Sequence, residues 1–168
     1  MPLNLLKIYN QLLDLGAFND YQRRKSLIGV FTRDFTDNPN LKFKSKLITP
    51  TPADGVINME TLFTHLTTQI VDERTRRREF EIHRSLRLHW VKFHIEERKA
   101  DNMLIFSVRE PEGVRTYIYD KDEKYVVVLE PLRNGKSYYL LTAYHVMGKD
   151  AQRDKFAKKY KRKLDMVL

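Results

Sequence analysis

The sequence predicts an α+β protein: N-terminal helices, then a long helix packed on a four-stranded antiparallel sheet, with a basic C-terminal helix. Three observations predict it. Apolar residues ahead of residue 99 recur mostly at helical spacing. After Lys99-Ala100-Asp101-Asn102 the period changes to two, and four runs rich in Val, Ile, Leu and Tyr follow. Short polar segments of hairpin length join those runs.

In chain order, Leu5, Leu6, Tyr9, Leu12 and Leu13 place a helix over 3–15, with Gly16 as its C-cap. Asn19 or Asp20 caps a second helix over 21–35, which carries Leu27, Ile28, Phe31 and Phe35. Asp37-Asn38-Pro39-Asn40 is turn chemistry, residues 41–48 (LKFKSKLI) alternate as a strand, and Thr49-Pro50-Thr51-Pro52 breaks regular structure. Asn58 followed by Leu62, Phe63, Leu66 and Ile70 marks a third helix. The longest helix is expected over 73–98, where Ile82, Leu86, Trp90 and Phe93 form a stripe that Leu88, Val91 and Ile95 widen. An apolar arc that broad suits a helix covering a sheet. The strands are expected at 103–109, 114–120, 124–130 and 137–146, and the last helix at 150–165. The layout divides into a mostly helical region, 1–72, and a helix-plus-sheet unit, 73–168.

Composition excludes several classes. With 168 residues, 42% hydrophobic and 32% charged, the chain can bury a real core and is not disordered. No apolar run reaches bilayer length, and MPLNLLKIYNQLLDLG lacks the basic start and cleavage site of a signal peptide, so a cytoplasmic protein with no membrane partner is expected. Without cysteine there are no disulfides, thiolate nucleophiles or Cys-type zinc sites. The six glycines form no phosphate-cradling motif and no HExxH occurs, so neither a cofactor nor a metal is expected.

Charge then points to a partner. Lys and Arg number 31 against 22 Asp and Glu, a net +9. Residues 149–168 hold eight cations and three acids; Arg74, Arg76, Arg77 and Arg78 form a second block, and Arg23, Arg24 and Lys25 a third. One such cluster reads as a solvated helix face, whereas three in a short chain suit a phosphate-binding surface. RNA, single-stranded or tRNA-like, is the expected partner, and the N-terminal helices could take a protein.

Residues 83–94 are dense in chemistry. His83, Arg87 and His94 fall near one stripe, since eleven residues make about three helical turns, and His89 lies elsewhere. Taken singly, each histidine reads as a hydrogen-bonding residue at the edge of a core. Interleaved with basic and aromatic side chains, the set reads equally as a phosphodiester site. In the strands, alternation puts Arg115, Tyr117 and Tyr119 on one face and groups Tyr138, Leu140, Thr142 and Tyr144 on one face.

A His-bearing helix followed by a four-stranded sheet ending in Tyr138-Tyr139-Leu140-Leu141-Thr142-Ala143-Tyr144 resembles the barnase–EndoU–colicin–RelE-like (BECR) nuclease superfamily, in its phage and mobile-element branch. The likeness covers about residues 76–146. It implies a metal-independent, toxin-like endoribonuclease acting by 2′-hydroxyl attack. It also implies a site of His89 or His94, Arg115, and Thr142 with Tyr144. Histidine would move the proton, arginine would hold the phosphate and the hydroxyls would assist. Arg84, Arg87, Tyr117, Lys155, Lys158, Lys159 and Arg162 are expected to hold RNA. The alternative is a non-catalytic nucleic-acid-binding module or a protein-interaction domain on the same fold.

Overall fold

Both halves of the sequence contribute to one sheet. The computed structural model describes residues 3–168. A 3-10 turn at Leu3–Leu6 leads through an irregular segment to α1 (Asp20–Phe31), which a wider turn, Thr32–Thr36, prolongs. There follow β1 (Lys42–Phe43), β2 (Lys46–Pro50), β3 (Pro52–Ala53), β4 (Val56–Ile57), α2 (Met59–Thr67), β5 (Thr68–Asp72) and β6 (Arg77–Phe80). The remainder is α3 (Ile82–Ser85), α4 (Trp90–Ile95), β7 (Met103–Glu110), β8 (Gly113–Asp120), β9 (Tyr125–Pro131), β10 (Ser137–His145), α5 (Gly148–Gln152) and α6 (Lys155–Lys161).

The fold is α+β, and the four predicted strands form an antiparallel meander. The sheet has six strands, not four, in the order β1-β2-β10-β9-β8-β7. β2 pairs with β10 in parallel, from Ser137↔Leu47 to Leu140↔Pro50. Beyond Pro50 the outer edge of β10 has no strand neighbour among the described residues. The predicted boundary at residue 72 falls inside the β5–β6 hairpin, and one apolar core joins Leu27, Phe31, Phe43 and Leu62 to Trp90, Ile118 and Leu129.

Three predicted helices take other forms, the C-terminal one over 150–165 dividing into α5 and α6 at Asp154, whose backbone is left-handed. Residues 7–18 form irregular turns because another segment takes up their backbone groups: Trp90 Nε1 donates to Gln11 O at 3.1 Å, and Leu13 N donates to Leu86 O at 2.9 Å. Buried Asn4 fastens the same stretch, bonding Asp14 through both its amide and its carbonyl. The 73–98 helix is replaced by the β5–β6 hairpin and two short helices. Asp72 accepts from the N–H groups of Arg74 and Thr75, an Asx-type turn that reverses the chain. Glu81 then caps α3 by accepting from the N–H groups of His83 and Arg84. Between α3 and α4 the bonds tighten to three-residue spacing (Arg87 N to Arg84 O, Leu88 N to Ser85 O), which rotates later side chains away from the regular helical stripe.

Each face of the sheet has its own core. Ile118, Tyr125, Val127, Leu129, Leu140 and Ala143 face the larger one, beneath α1, α2 and α4. Trp90, 1% exposed, is its centre, with edge-on contacts to Tyr9 and Tyr125. Phe106, Tyr117, Tyr119, Val126 and Val128 face a smaller core that Phe156 of α6 closes. Among the described residues no helix is long and apolar enough to cross a membrane.

Candidate nucleic-acid interface

A β-bulge decides where Thr142 and Tyr144 point. Leu140 pairs with Leu129, but Thr142 pairs with Val128, so Leu141 is an extra residue in β10. Strict alternation would keep Thr142 and Tyr144 on the side of Tyr138 and Leu140. The bulge instead leaves Leu140 and Ala143 in the larger core and turns Tyr144 to the smaller one. Thr142, paired with Val128, takes that second side too, which is also the side of Tyr117 and Arg115.

The two candidate histidines lie on the opposite side. His94 is fully buried beside Asp120, which follows Thr116 and Ile118 on the larger-core face of β8. Its Nδ1–H donates to Trp90 O at 2.7 Å and its Nε2 meets Asp120 Oδ2 at 2.9 Å. Both ring nitrogens are therefore engaged within the core. Asp120 also receives Lys99 Nζ at 2.6 Å, the Tyr9 hydroxyl, and the N–H groups of Asp122 and Glu123. Burial alone would raise the Asp120 carboxyl, but the donors of His94, Lys99 and Tyr9 outweigh it and hold it well below the usual range. This network fixes the N-terminal segment to the sheet; His94 and Asp120 are fully buried, and Lys99 carries it to half-exposed Asp122 at the surface. His89 is 6% exposed and donates from Nε2 to Ile8 O at 3.1 Å, which leaves Nδ1 buried and unprotonated. Burial lowers its pKa, while the backbone of Ile8 works against that shift. The sheet therefore separates His89 and His94 from Arg115, Thr142 and Tyr144, and the five residues form no common site. Arg115 is itself engaged, at 3.2 Å from Glu130.

A different group of side chains converges at the open edge of β10. Arg84 reaches from α3 to place Nη1 3.2 Å from Thr142 Oγ1, 2.9 Å from His65 O and 2.8 Å from Thr68 O. Those carbonyls close the C-terminal end of α2, where a cation is favoured. Arg78, from β6, donates from Nη2 to the same Thr68 O at 3.0 Å and from Nε to Thr68 Oγ1 at 2.8 Å. A shared acceptor thus fixes two guanidinium groups side by side. Among the described residues neither lies within 4 Å of a carboxylate. Glu81, the acid nearest in effect to Arg84, is occupied in capping α3.

Around these two arginines is a hollow of about 420 Å³, lined also by His65, Arg76, Glu73 and Thr142. Glu73 is paired with Arg76 at 2.9 Å. Burial lowers the pKa of His65, and Arg78 lowers it further, with Arg84 and Arg76 adding to the effect; the backbone of Leu141 alone opposes them. Burial likewise lowers Arg78 and Arg84, and Arg84 and Arg76 depress Arg78 further. Guanidinium does not give up its proton in a protein. The repulsion therefore persists as a positive potential that a bound anion would relieve. The Arg84 guanidinium also lies 5.4 Å from the Tyr144 ring centroid, and Tyr144 touches Phe156 on α6, linking the hollow to the basic C-terminal helices.

The remaining sequence candidates separate into paired and free. Tyr117 is 5% exposed and donates to Glu110, which also binds Lys159. Lys155 pairs with Asp150 at 3.4 Å, and Arg87 donates to His83 O and stacks over Trp90. Lys158 and Arg162 are exposed on or beside α6. Sequence reasoning assigned Arg78 to a surface charge block and no role to His65. The available signal was the alternation of Arg77-Arg78-Glu79-Phe80, which marks Arg78 and Phe80 as inward. The apolar hollow of about 260 Å³ between Phe35, Leu41, Ile48 and Met59 has no charged lining residue and suits no anion. Among the described residues no three or more His, Asp or Glu side chains are grouped to hold a metal ion. No family model, curated protein or solved structure matches the chain.

Proposed function

We propose that this protein binds nucleic acid, with RNA the favoured form, by seating a backbone phosphate between Arg78 and Arg84. One observation carries the reading: two adjacent, half-buried guanidinium groups lack a carboxylate partner and border an open hollow. Protein folds compensate buried cations unless a ligand supplies the counter-charge. Arginine also matches phosphate with two donors at once. Exposed Lys158 and Arg162 would add sequence-independent attraction along the strand. Binding of a single-stranded RNA, followed by fluorescence anisotropy across a salt series, tests the proposal. Affinity should fall steeply with salt, and Arg84→Gln should weaken it about tenfold or more. Absence of binding at low salt would reject it.

A second reading has an observation of its own. His65, held in its neutral form, shares the hollow with Arg84 and Thr142, so metal-independent RNA cleavage would run through His65 as the base. Cyclic-phosphate products formed in EDTA and lost in His65→Ala would establish it. Intact RNA under the same conditions would leave binding alone.

A further inference from the structure

We propose that the hollow between α2, the β5–β6 hairpin and the open edge of β10 recognises a terminal phosphate monoester of an oligonucleotide in preference to an internal phosphodiester. This rests on the nucleic-acid reading above and specifies its ligand. The first argument is a charge balance. Of the side chains lining the hollow, Glu73 is the sole carboxylate, and it is neutralised by Arg76 at 2.9 Å. Arg78 and Arg84 remain as two uncompensated charges on one wall. An internal phosphodiester supplies one negative charge, whereas a terminal monoester carries between about 1.5 and 2 at pH 7 and offers three acceptor oxygens.

The second argument is the supply of donors. Arg78 uses Nε and Nη2 on Thr68, and Arg84 uses Nη1 on α2 carbonyls and Thr142. No protein acceptor among the described residues meets Arg78 Nη1 or Arg84 Nη2. Each guanidinium is thus oriented by one side and keeps donors on the other, so little ordering remains when an anion arrives. The third argument is His65. Burial lowers its pKa first, and the charged groups facing it, Arg78, Arg84 and Arg76, lower it further, with Glu73 already paired to Arg76. A dianion placed among them offsets the two uncompensated charges and so removes their opposition to proton uptake on the ring.

The test compares one single-stranded RNA sequence bearing a 5′-phosphate, a 3′-phosphate or hydroxyls at both ends, titrated into the full-length protein at fixed pH and salt. At least one phosphorylated form should bind about tenfold more tightly than the hydroxyl form, and the two arms identify which end is read. Arg78→Gln should erase that preference, so that the phosphorylated and hydroxyl forms bind equally, and both more weakly than to the wild-type protein. Lys158→Gln with Arg162→Gln should weaken all three equally and keep the preference. Should Arg78→Gln fail to fold, excess inorganic phosphate must remove the preference in the wild-type protein. Equal, salt-sensitive binding of all three RNAs would overturn the terminal-phosphate assignment and leave the nucleic-acid reading intact. No binding of any of them at low salt would overturn both.

Discussion

The molecule carries two clusters of buried charge, and they differ in whether the protein balances them. Around Asp120, every charge has a partner: His94 at 2.9 Å, Lys99 at 2.6 Å, and Lys99 in turn on Asp122 at 2.8 Å. At the edge of β10, Arg78 and Arg84 face carbonyls and each other without a carboxylate. The first cluster lies beneath the sheet and ties the N-terminal segment down. The second borders an open hollow of about 420 Å³. Histidine, a basic side chain and a hydroxyl group occur in both (His94, Lys99 and Tyr9 in the first; His65, Arg84 and Thr142 in the second), so residue class alone does not distinguish scaffold from site. Charge balance and access do.

The largest expected effect comes from breaking the balanced cluster. His94→Ala leaves the Asp120 carboxylate buried with one fewer donor, a change that costs about 3–5 kcal/mol of stability. Urea denaturation should show that loss, while the folded protein keeps its affinity for RNA. A loss of RNA affinity with unchanged stability would instead put His94 in the site. Next in size is Arg84→Gln in the unbalanced cluster. RNA affinity should fall about tenfold or more with a shallower salt dependence, and the loss of its bonds to α2 should lower stability by about 1–3 kcal/mol.

A pH series separates the clusters more finely. His65, His89 and His145 all have pKa values lowered in the fold, burial being the first cause in each, with Arg78 acting on His65 and Arg87 on His145. A lowered histidine binds its proton more readily in the unfolded chain. Stability is therefore complete above the ordinary value of about 6.5 and declines as pH falls below it. His65→Gln should reduce that slope through the open hollow, and His89→Gln through the buried segment. Only the first should change RNA binding. The smallest effect belongs to Arg115→Ala. Its ion pair with Glu130 is partly solvated and worth about 1 kcal/mol or less, and RNA affinity should stay near wild type.

Legibility in the sequence followed the locality of the determining interaction. The strands from Met103 to His145 were readable because alternation and turn residues are local signals. The helices at 3–15 and 73–98 were misread because distant partners override their periodicity: Trp90 takes the Gln11 carbonyl, and β5 pairs with β6 through a turn made by Asp72. Within the site, Thr142, Tyr144 and Arg84 were named from sequence, and the structure brings these three together. Arg78 and His65 were not, because their convergence depends on the α2–β5 junction. His89, His94 and Arg115 were grouped with Thr142 by the resemblance to a nuclease superfamily, and the sheet sets the histidines apart from the other two. Even the face of Thr142 depended on a one-residue bulge that no alternation rule contains.

The central claim is that unbalanced arginine charge at the β10 edge, and not the buried histidine network, holds the ligand. RNA binding by the double variant Arg78→Gln/Arg84→Gln, measured beside His94→Ala under conditions where both are folded, tests it most directly. The account predicts that the arginine variant loses most of its low-salt affinity and that His94→Ala binds as the wild type does. Wild-type affinity in the double variant would contradict it.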